Sequence, residues 1–517
     1  MTGRMTAKQS DSAMPSEIGI GKDVLELVST AMYVDPLTIY REYVQNAADS
    51  IDEARADGII GPDEPGRVDI AIDPSGRSVT IRDNGTGVPD GEFSGRLTAL
   101  GGSRKRGTSA RGFRGVGRLA GLGYCQELVF RSRSGGSAKV HELRWDCRLF
   151  KKLLADHSFE GGLQELVHRV ASVRELDGAD IWPARFFEVE LIRLVRIGND
   201  ILMNAEAISR YLSQVAPVPF SPEFRFGREI RAQLSRHFSL GEIDIHVGGA
   251  AEPLYRPYRD DYEFGEGKRD AFTDLEFKEI EGMDGGVAAV VWLLHHGYRG
   301  ALPSAEGVCG LRARMGNIQI GSHRIFSHAF PEARFASWTV GEVHVVDTKV
   351  VPNGRRDDFE PNAHYGRLVA HLSPIGDQIA RMCRNSSVVR NRIKAFEIGS
   401  LKIDEQLKIL EQRVIGGAEA ESVCRDIRSG MFEIKKAIEF PLLDEAQKSG
   451  LSASLSALEE RFAKTELTTA TNDALGCLPE EEREIVRRMI GLIYECSVNR
   501  VAAKSLVDRI LARLGAC

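Results

Sequence analysis

The sequence predicts an α/β (α+β) chain: an N-terminal α/β sandwich, a second α/β domain, and a helical C-terminal region. Three patterns carry that prediction. A helical start over residues 24–56 leads into short strand-like runs separated by Gly/Pro turns. A second set of strand-like runs fills the middle of the chain. After about residue 386 apolar side chains recur at alternating intervals of four and three, through Val389, Ile393, Phe396, Ile403, Leu407, Leu410 and Val414, with Ser400 as the one polar interruption. The boundaries that follow are a tail over 1–16, a first domain over 17–215, a second over 216–385 and the helical region over 386–517.

Taken in order, residues 24–56 read as two helices meeting at Asp35-Pro36, with the Asp as cap and the Pro at the first helical position. Residues 58–66 are a Gly/Pro loop. Strands at 68–72 and 78–82 flank the turn at 74–76. Residues 90–122 hold a helix, a Gly-rich segment and a second helix from 116 to 122. Strands at 126–133 and 138–145 flank Gly135-Gly136, and a later strand covers 186–194. The second domain contains strand-like runs at 286–298, 311–320 and 343–351. The heptad seam after 386 suits either one core-facing helix of a bundle or a self-associating coiled coil, and a second helical unit spans 480–515.

Length and composition narrow the class. At roughly 150 residues per domain, 517 residues fit three domains. With 68 Lys+Arg against 74 Asp+Glu the net charge is −6, which argues against a wholly basic nucleic-acid coat. The longest clean apolar run, 287–294, is far short of the ~20 residues a membrane-spanning helix needs. Residues 1–15 are polar and carry no apolar stretch of a signal peptide. The eight cysteines are scattered without a CxxC pair, which disfavours a cysteine-rich zinc site or a disulfide framework. The expectation is a reduced, cytoplasmic protein with no membrane partner.

Three constellations carry chemistry. In the first, Glu42, Asn46 and Asp49 are spaced by four and three, so a helix places them on one face. An amide oxygen there suits Mg²⁺, which prefers oxygen ligands and phosphates. A carboxylate one turn earlier can orient or deprotonate a water for attack on a terminal phosphate. The second is Asp83-Asn84-Gly85-Thr86-Gly87 at a strand end, where the carboxylate can accept from an exocyclic amine and the glycines let backbone pass close to a flat ring. The third is Gly-rich: Gly101-Gly102-Ser103-Arg104-Lys105-Arg106-Gly107, then Gly112-Phe113-Arg114-Gly115-Val116-Gly117, opening a helix whose N–H groups can cradle phosphate. Lys105, Arg111 and Arg114 add positive charge. No Gly-x-x-x-x-Gly-Lys-Ser/Thr run is present, so this is not the familiar P-loop.

In this order and at these spacings the three resemble the Bergerat-fold ATPases, the GHKL superfamily of gyrase B, the ninety-kilodalton heat-shock chaperone, histidine kinases and MutL. The resemblance covers roughly residues 20–195. It implies Glu42 as catalytic base and Asn46 as magnesium ligand. Asp83 would take the adenine amine, Gly87 would line the base, and Gly112–Gly117 would hold phosphates within a lid. Asp49, Gly85, Ser103, Lys105, Arg114, Gly115 and Val116 complete the implied ATP-contacting set. One departure is that the strand at 186–194 lacks the Thr that family members often place beside the adenine.

Histidine kinases carry a phosphoacceptor His upstream of the ATPase domain, whereas the first His here is His141. Residues 346–357 (Val-Asp-Thr-Lys-Val-Val-Pro-Asn-Gly-Arg-Arg-Asp) instead look like the chaperone's middle-domain loop, whose arginine senses ATP. Arg355 or Arg356 would fill that role. The resemblance therefore implies an Mg-ATPase whose closure drives a chaperone-like homodimer acting on a protein client, in a setting such as bacterial stress or anti-phage defence. Two alternatives stand beside it: a MutL/MORC-like clamp on DNA, with Arg381, Arg384, Arg390, Arg392 and Lys394 as a weak basic hint, and a non-catalytic nucleotide-gated scaffold.

Overall fold

The computed structural model describes residues 35–99, 117–156, 158–159, 161–177, 181–263, 269–415, 417–469 and 475–514. The chain divides into two compact units, Met1–Ala380 and Arg381–Cys517. Mixed α/β sheets occupy the first and helices the second, the architecture the residue patterns predict.

The first unit is organised by helix α1 (Thr38–Ala56). Ile39, Tyr40, Tyr43, Val44, Ala47, Ala48, Ile51 and Ala54 on it are all buried. Small Ala47 and Ala48 let it lie close to a seven-stranded sheet of β1 (Arg67–Asp73), β2 (Ser78–Asp83), β3 (Glu127–Arg133), β4 (Val140–Asp146), β5 (Ala171–Leu176), β6 (Phe186–Ile192) and β7 (Asp244–Val247). The strand order is β5-β4-β3-β6-β2-β1-β7. The β1–β7 pair is parallel and the other neighbours are antiparallel.

Period-2 alternation separates the two faces of this sheet. Val79, Ile81, Leu128, Phe130, Leu143, Trp145, Val189 and Leu191 point into one apolar core shared with α1. The opposite face carries a ladder of charges. Arg131 meets Glu142 at 2.7 Å, Glu188 at 2.9 Å and Glu190 at 2.7 Å, and Arg82 and Arg174 close the array on Glu188 and Glu142. Glu142 and Glu188 are buried beneath these guanidinium groups. Each of these carboxylates is matched by a guanidinium, and the Trp182 ring packs over Arg82 and Arg131.

A second sheet holds β10 (Asp274–Glu281), β11 (Val287–His295), β12 (Gly310–Met315), β13 (Ile318–Ile320) and β14 (Val340–Val345) in the order β10-β11-β14-β12-β13, after a small β8 (Asp261–Glu263), β9 (Arg269–Ala271) ribbon. Its centre is an ionic cluster on β14. Glu342 accepts from Arg256 at 2.7 Å, Arg314 at 2.5 Å and Tyr258 at 3.0 Å, and His344 lies 2.9 Å away. The same arginines hold the chain that connects the sheets: Arg314 donates to the Gln214 carbonyl at 2.7 Å and Arg256 to the Val218 carbonyl at 3.0 Å.

Several expectations need correction. The helix begins at Thr38, so Pro36 sits in the preceding turn and Asp35 accepts from the Leu37 N–H there. The predicted helix over 116–122 is a 3₁₀ segment, Gly117–Gly123. The run at 311–320 is two strands, because Gly316 and Asn317 both take positive φ and make a tight hairpin turn between them. The run at 343–351 ends as a strand at Val345, and the helix expected from 386 already begins at Ala363. The helix expected before residue 35 lies outside the described residues.

In the second unit, Phe396, Ile403, Leu407 and Leu410 on the helix Ala363–Leu410, with Val414 beyond it, are buried against Val423, Ile427, Met431 and Ile434 of the next helix, Gly417–Ile438. From Phe396 onward the heptad seam is therefore the core-facing stripe of a bundle, while Val389 and Ile393 are half-buried. Among the described residues no helix is long and apolar enough to cross a membrane.

The ionic cluster sets a stability and pH prediction. Removing one member of a buried pair typically costs about 3–5 kcal/mol, so Glu342→Ala should lower the urea-unfolding free energy by that order. Burial pushes the His344 imidazole down from 6.5 to about 4, despite the carboxylate beside it. The unfolded chain therefore binds a proton below 6.5 that the native chain refuses until about 4, so stability falls as pH drops through that window. Urea midpoints measured across it should decline, and His344→Gln should flatten the decline.

Candidate functional site

The helix-facing side of the first sheet brings two of the three constellations together. On α1, Glu42 and Asp49 are buried and Asn46 is half-buried, on one stripe of the helix. Asp83 ends β2 with the same parity as Val79 and Ile81, so it faces α1 and is 4 % exposed. Its Oδ1 accepts from the Gly85 N–H at 2.9 Å.

Each glycine of the Asp83 loop answers to a specific crowding. A Cβ on Gly85 would lie 2.2 Å from the Ser50 hydroxyl, and one on Gly87, at φ +68, would lie 2.2 Å from the Arg133 carbonyl. Ser132 on β3 pins the end of the loop by accepting from the Val88 N–H at 2.8 Å. In the β2–β6 register Phe187 stands opposite Asp83, and the strand ends at Ile192 with no Thr along it.

At the other end of the stripe, Glu42 meets the start of the 3₁₀ segment. A Cβ on Gly117 would lie 2.3 Å from Glu42 Oε2, so any side chain there would displace the carboxylate. Tyr43 docks the segment onto α1, accepting from the Gly121 N–H at 2.9 Å and donating to the Arg118 carbonyl at 3.2 Å. Burial, with Arg96 nearby, lowers the Arg118 guanidinium to about 10. Ser103, Lys105, Gly112, Arg114, Gly115 and Val116 lie outside the described residues. Of the Gly-rich constellation only Gly117 is placed, and it is placed against Glu42.

The residue that sequence reasoning missed is Arg41. It is 7 % exposed, its Nη2 lies 3.5 Å from Glu42 Oε1, and the same nitrogen donates to the Arg355 carbonyl at 3.1 Å. The loop between β14 and the helix starting at Ala363 thus reaches the Glu42 end of the site. Arg355 is exposed and Arg356 is half-buried, at φ +57. Arg356 is anchored by its carbonyl, which accepts from the Gly321 N–H at 2.9 Å, while Asp357 accepts from the Asn353 amide at 2.6 Å. The signal for Arg41 was its position beside Glu42, but no spacing rule marks a cation that bonds a distant carbonyl.

Among the described residues no group of three or more His, Cys, Asp or Glu side chains could enclose a metal. The oxygen donors on α1 nevertheless fit Mg²⁺, which is commonly held by one or two protein oxygens plus phosphates and water. From Glu42 to Ser50 is eight residues, or about 12 Å along a helix. A base near Asp83 and phosphates near Glu42 would lie along α1.

Residues 38–156 match the family described as histidine kinase-, DNA gyrase B-, and HSP90-like ATPase. This segment is a GHKL-type ATPase domain resembling the Hsp90-like proteins. The chain is 29 % identical over 139 residues to the chaperone protein HtpG of Acinetobacter baylyi, covering 24 % of this chain and 22 % of that protein. Against HtpG of Burkholderia lata it is 28 % identical over 142 residues, with the same coverage. Against HtpG of Chromobacterium violaceum it is 25 % identical over 159 residues, 28 % of this chain and 24 % of that protein. The chain thus spans under a quarter of the length of these relatives, and the likeness lies with the GHKL domain.

The packing at Gly117 makes a direct prediction. Gly117→Ala should force the Glu42 carboxylate aside, at the about 1–3 kcal/mol typical of overpacking. Urea unfolding would read the loss, and a crystal structure of the variant should show a longer Arg41–Glu42 separation.

Proposed function

We propose that the chain binds Mg-ATP along α1 and hydrolyses it, using closure of its first unit to act on a protein client as a chaperone-like homodimer in the cytoplasm. The observation that carries this is the pairing of Glu42 with Gly117 at one end of the stripe and of Asp83 with Gly85 at the other, inside a GHKL-type domain.

In this reading Asp83 accepts from the adenine amine, with Gly85 and Gly87 giving the ring close backbone approach. Asp49 supports the polar stripe beneath the nucleotide. Asn46 would hold Mg²⁺ through its amide oxygen, and the ion would neutralise phosphate charge. Gly117 and the Gly-rich residues before it, with Ser103, Lys105, Gly112, Arg114, Gly115 and Val116, would close over the phosphates. Glu42 orients and deprotonates the attacking water, a contribution of about 10²–10⁴-fold. Arg41 is a positioning residue: it sets the Glu42 carboxylate and bonds the loop that carries Arg355 and Arg356. A cation from that loop would offset charge developing on the transferred phosphoryl group. A bacterial stress or anti-phage role is compatible with this chemistry, and the client is a protein of unspecified sequence.

The test is phosphate release by the full chain with Mg-ATP, with nucleotide binding measured in parallel. Glu42→Ala should keep ATP affinity within about threefold and lose turnover by 10²-fold or more. Asp83→Asn should lose binding. Unchanged turnover in Glu42→Ala would remove the base from the mechanism. ATP binding without phosphate release by the wild type would favour a nucleotide-gated scaffold.

A further inference from the structure

The helix-facing rim beside Asp83 contains two hydroxyls that none of the assigned roles uses. Ser50 lies one turn beyond Asn46 on α1 and Thr86 sits between Gly85 and Gly87; both are half-buried. Their oxygens are 3.3 Å apart. Two of the bonds around them have a definite direction. The Thr86 hydroxyl donates to the Gly87 carbonyl at 3.0 Å, and the Thr86 N–H donates to Ser50 Oγ at 3.1 Å. Each hydroxyl has one proton. Either oxygen could donate to the other; when the shorter bond to Gly87 holds the Thr86 proton, Ser50 is the donor between the pair.

The consequence is a rim that offers acceptors only. In that arrangement both hydroxyl protons are used between α1 and the loop, and the lone pairs that remain lie beside the Asp83 carboxylate. The point a Gly85 Cβ would occupy is 2.2 Å from Ser50 Oγ and 2.8 Å from Asp83 Oδ1, so the three oxygens form one neighbourhood. A base edge carrying an amine donor suits such a rim. A base edge carrying a keto oxygen meets lone pairs instead, and a buried mismatch of this kind is more costly than a missing bond.

We infer that the Ser50–Thr86 hydroxyl pair is a specificity determinant of the nucleotide site, selecting a 6-amino purine over a 6-keto purine by fixing its own protons away from the base. This rests on the ATP reading above. Thr86 is the polarity-setting member: without its hydroxyl, the Ser50 proton is released and can serve a keto oxygen.

The experiment measures affinities of the full chain for ATP and GTP by calorimetry, with the melting temperature of each nucleotide-free variant recorded alongside. In Thr86→Val, which keeps the shape and removes the hydroxyl, the ATP:GTP affinity ratio should fall about tenfold, the scale of one hydrogen-bond mismatch. Thr86→Ser should restore the wild-type ratio. Ser50→Ala should weaken ATP binding about three- to tenfold and leave GTP less affected. Equal losses for the two nucleotides in Thr86→Val, or an unchanged ratio, would overturn the inference while leaving the ATP reading in place. Failure of the wild type to bind either nucleotide would overturn both.

Discussion

The guanidinium of Arg41 is where the two sheets of the first unit meet at the candidate site. One buried nitrogen lies 3.5 Å from the Glu42 carboxylate and 3.1 Å from the Arg355 carbonyl. A buried carboxylate at the edge of an apolar core is costly unless a partner offsets it. Here the partner also bonds a loop that arrives more than three hundred residues later in the chain. The position of Glu42 and the docking of the 346–357 loop are therefore one problem with one solution. Gly117 completes it from the third side by leaving the space a side chain would take from the carboxylate.

The second attachment between the sheets has a different character. Arg256 and Arg314 each spend part of their guanidinium on Glu342 and part on carbonyls of the connecting segment around residues 214–218. Coulombic attraction from both arginines holds the Glu342 carboxyl well below its usual range, even though burial works the other way. Buried arrays of this kind stabilise little relative to an apolar core, but they fail badly when one member is lost. What the array supplies is geometry. It fixes where the chain leaving the first sheet enters the second, and so fixes which loop of the second sheet can reach Arg41.

The parts of this arrangement that could be read from the chain are those that depend on local order. The stripe of Glu42, Asn46 and Asp49 follows from helical spacing alone. The placement of Asp83 at a strand end follows from alternation and the Asp-Asn-Gly-Thr-Gly turn. The seam from Phe396 to Val414 announced its buried face by its intervals, though not whether another helix of the same chain or a second copy would cover it. The Gly316-Asn317 turn was passed over because the residues on both sides of it are strand formers, and two short strands looked like one long one. Arg41, Tyr43 and the Glu342 cluster were out of reach for a different reason. Each acts through partners more than seventy residues away or through backbone carbonyls, and no periodicity records a carbonyl.

The two attachments differ in how much must be broken to undo them. The one at Glu342 involves four side chains that surround a fully buried carboxylate and three carbonyls of the connecting chain. At Arg41 the charge-assisted bond to the Arg355 carbonyl is of a kind worth roughly 1.5–3 kcal/mol. A ligand that binds differently to two arrangements of the site can shift the balance between them only by that difference. On the reading proposed above, phosphates beside Glu42 would lie next to the Arg41 contact and away from the Glu342 cluster. A nucleotide bound there would act on the Arg41–Arg355 bond before it reached the connecting segment at 214–218. The Glu42 carboxylate would then sense the second sheet through the guanidinium that lies beside it.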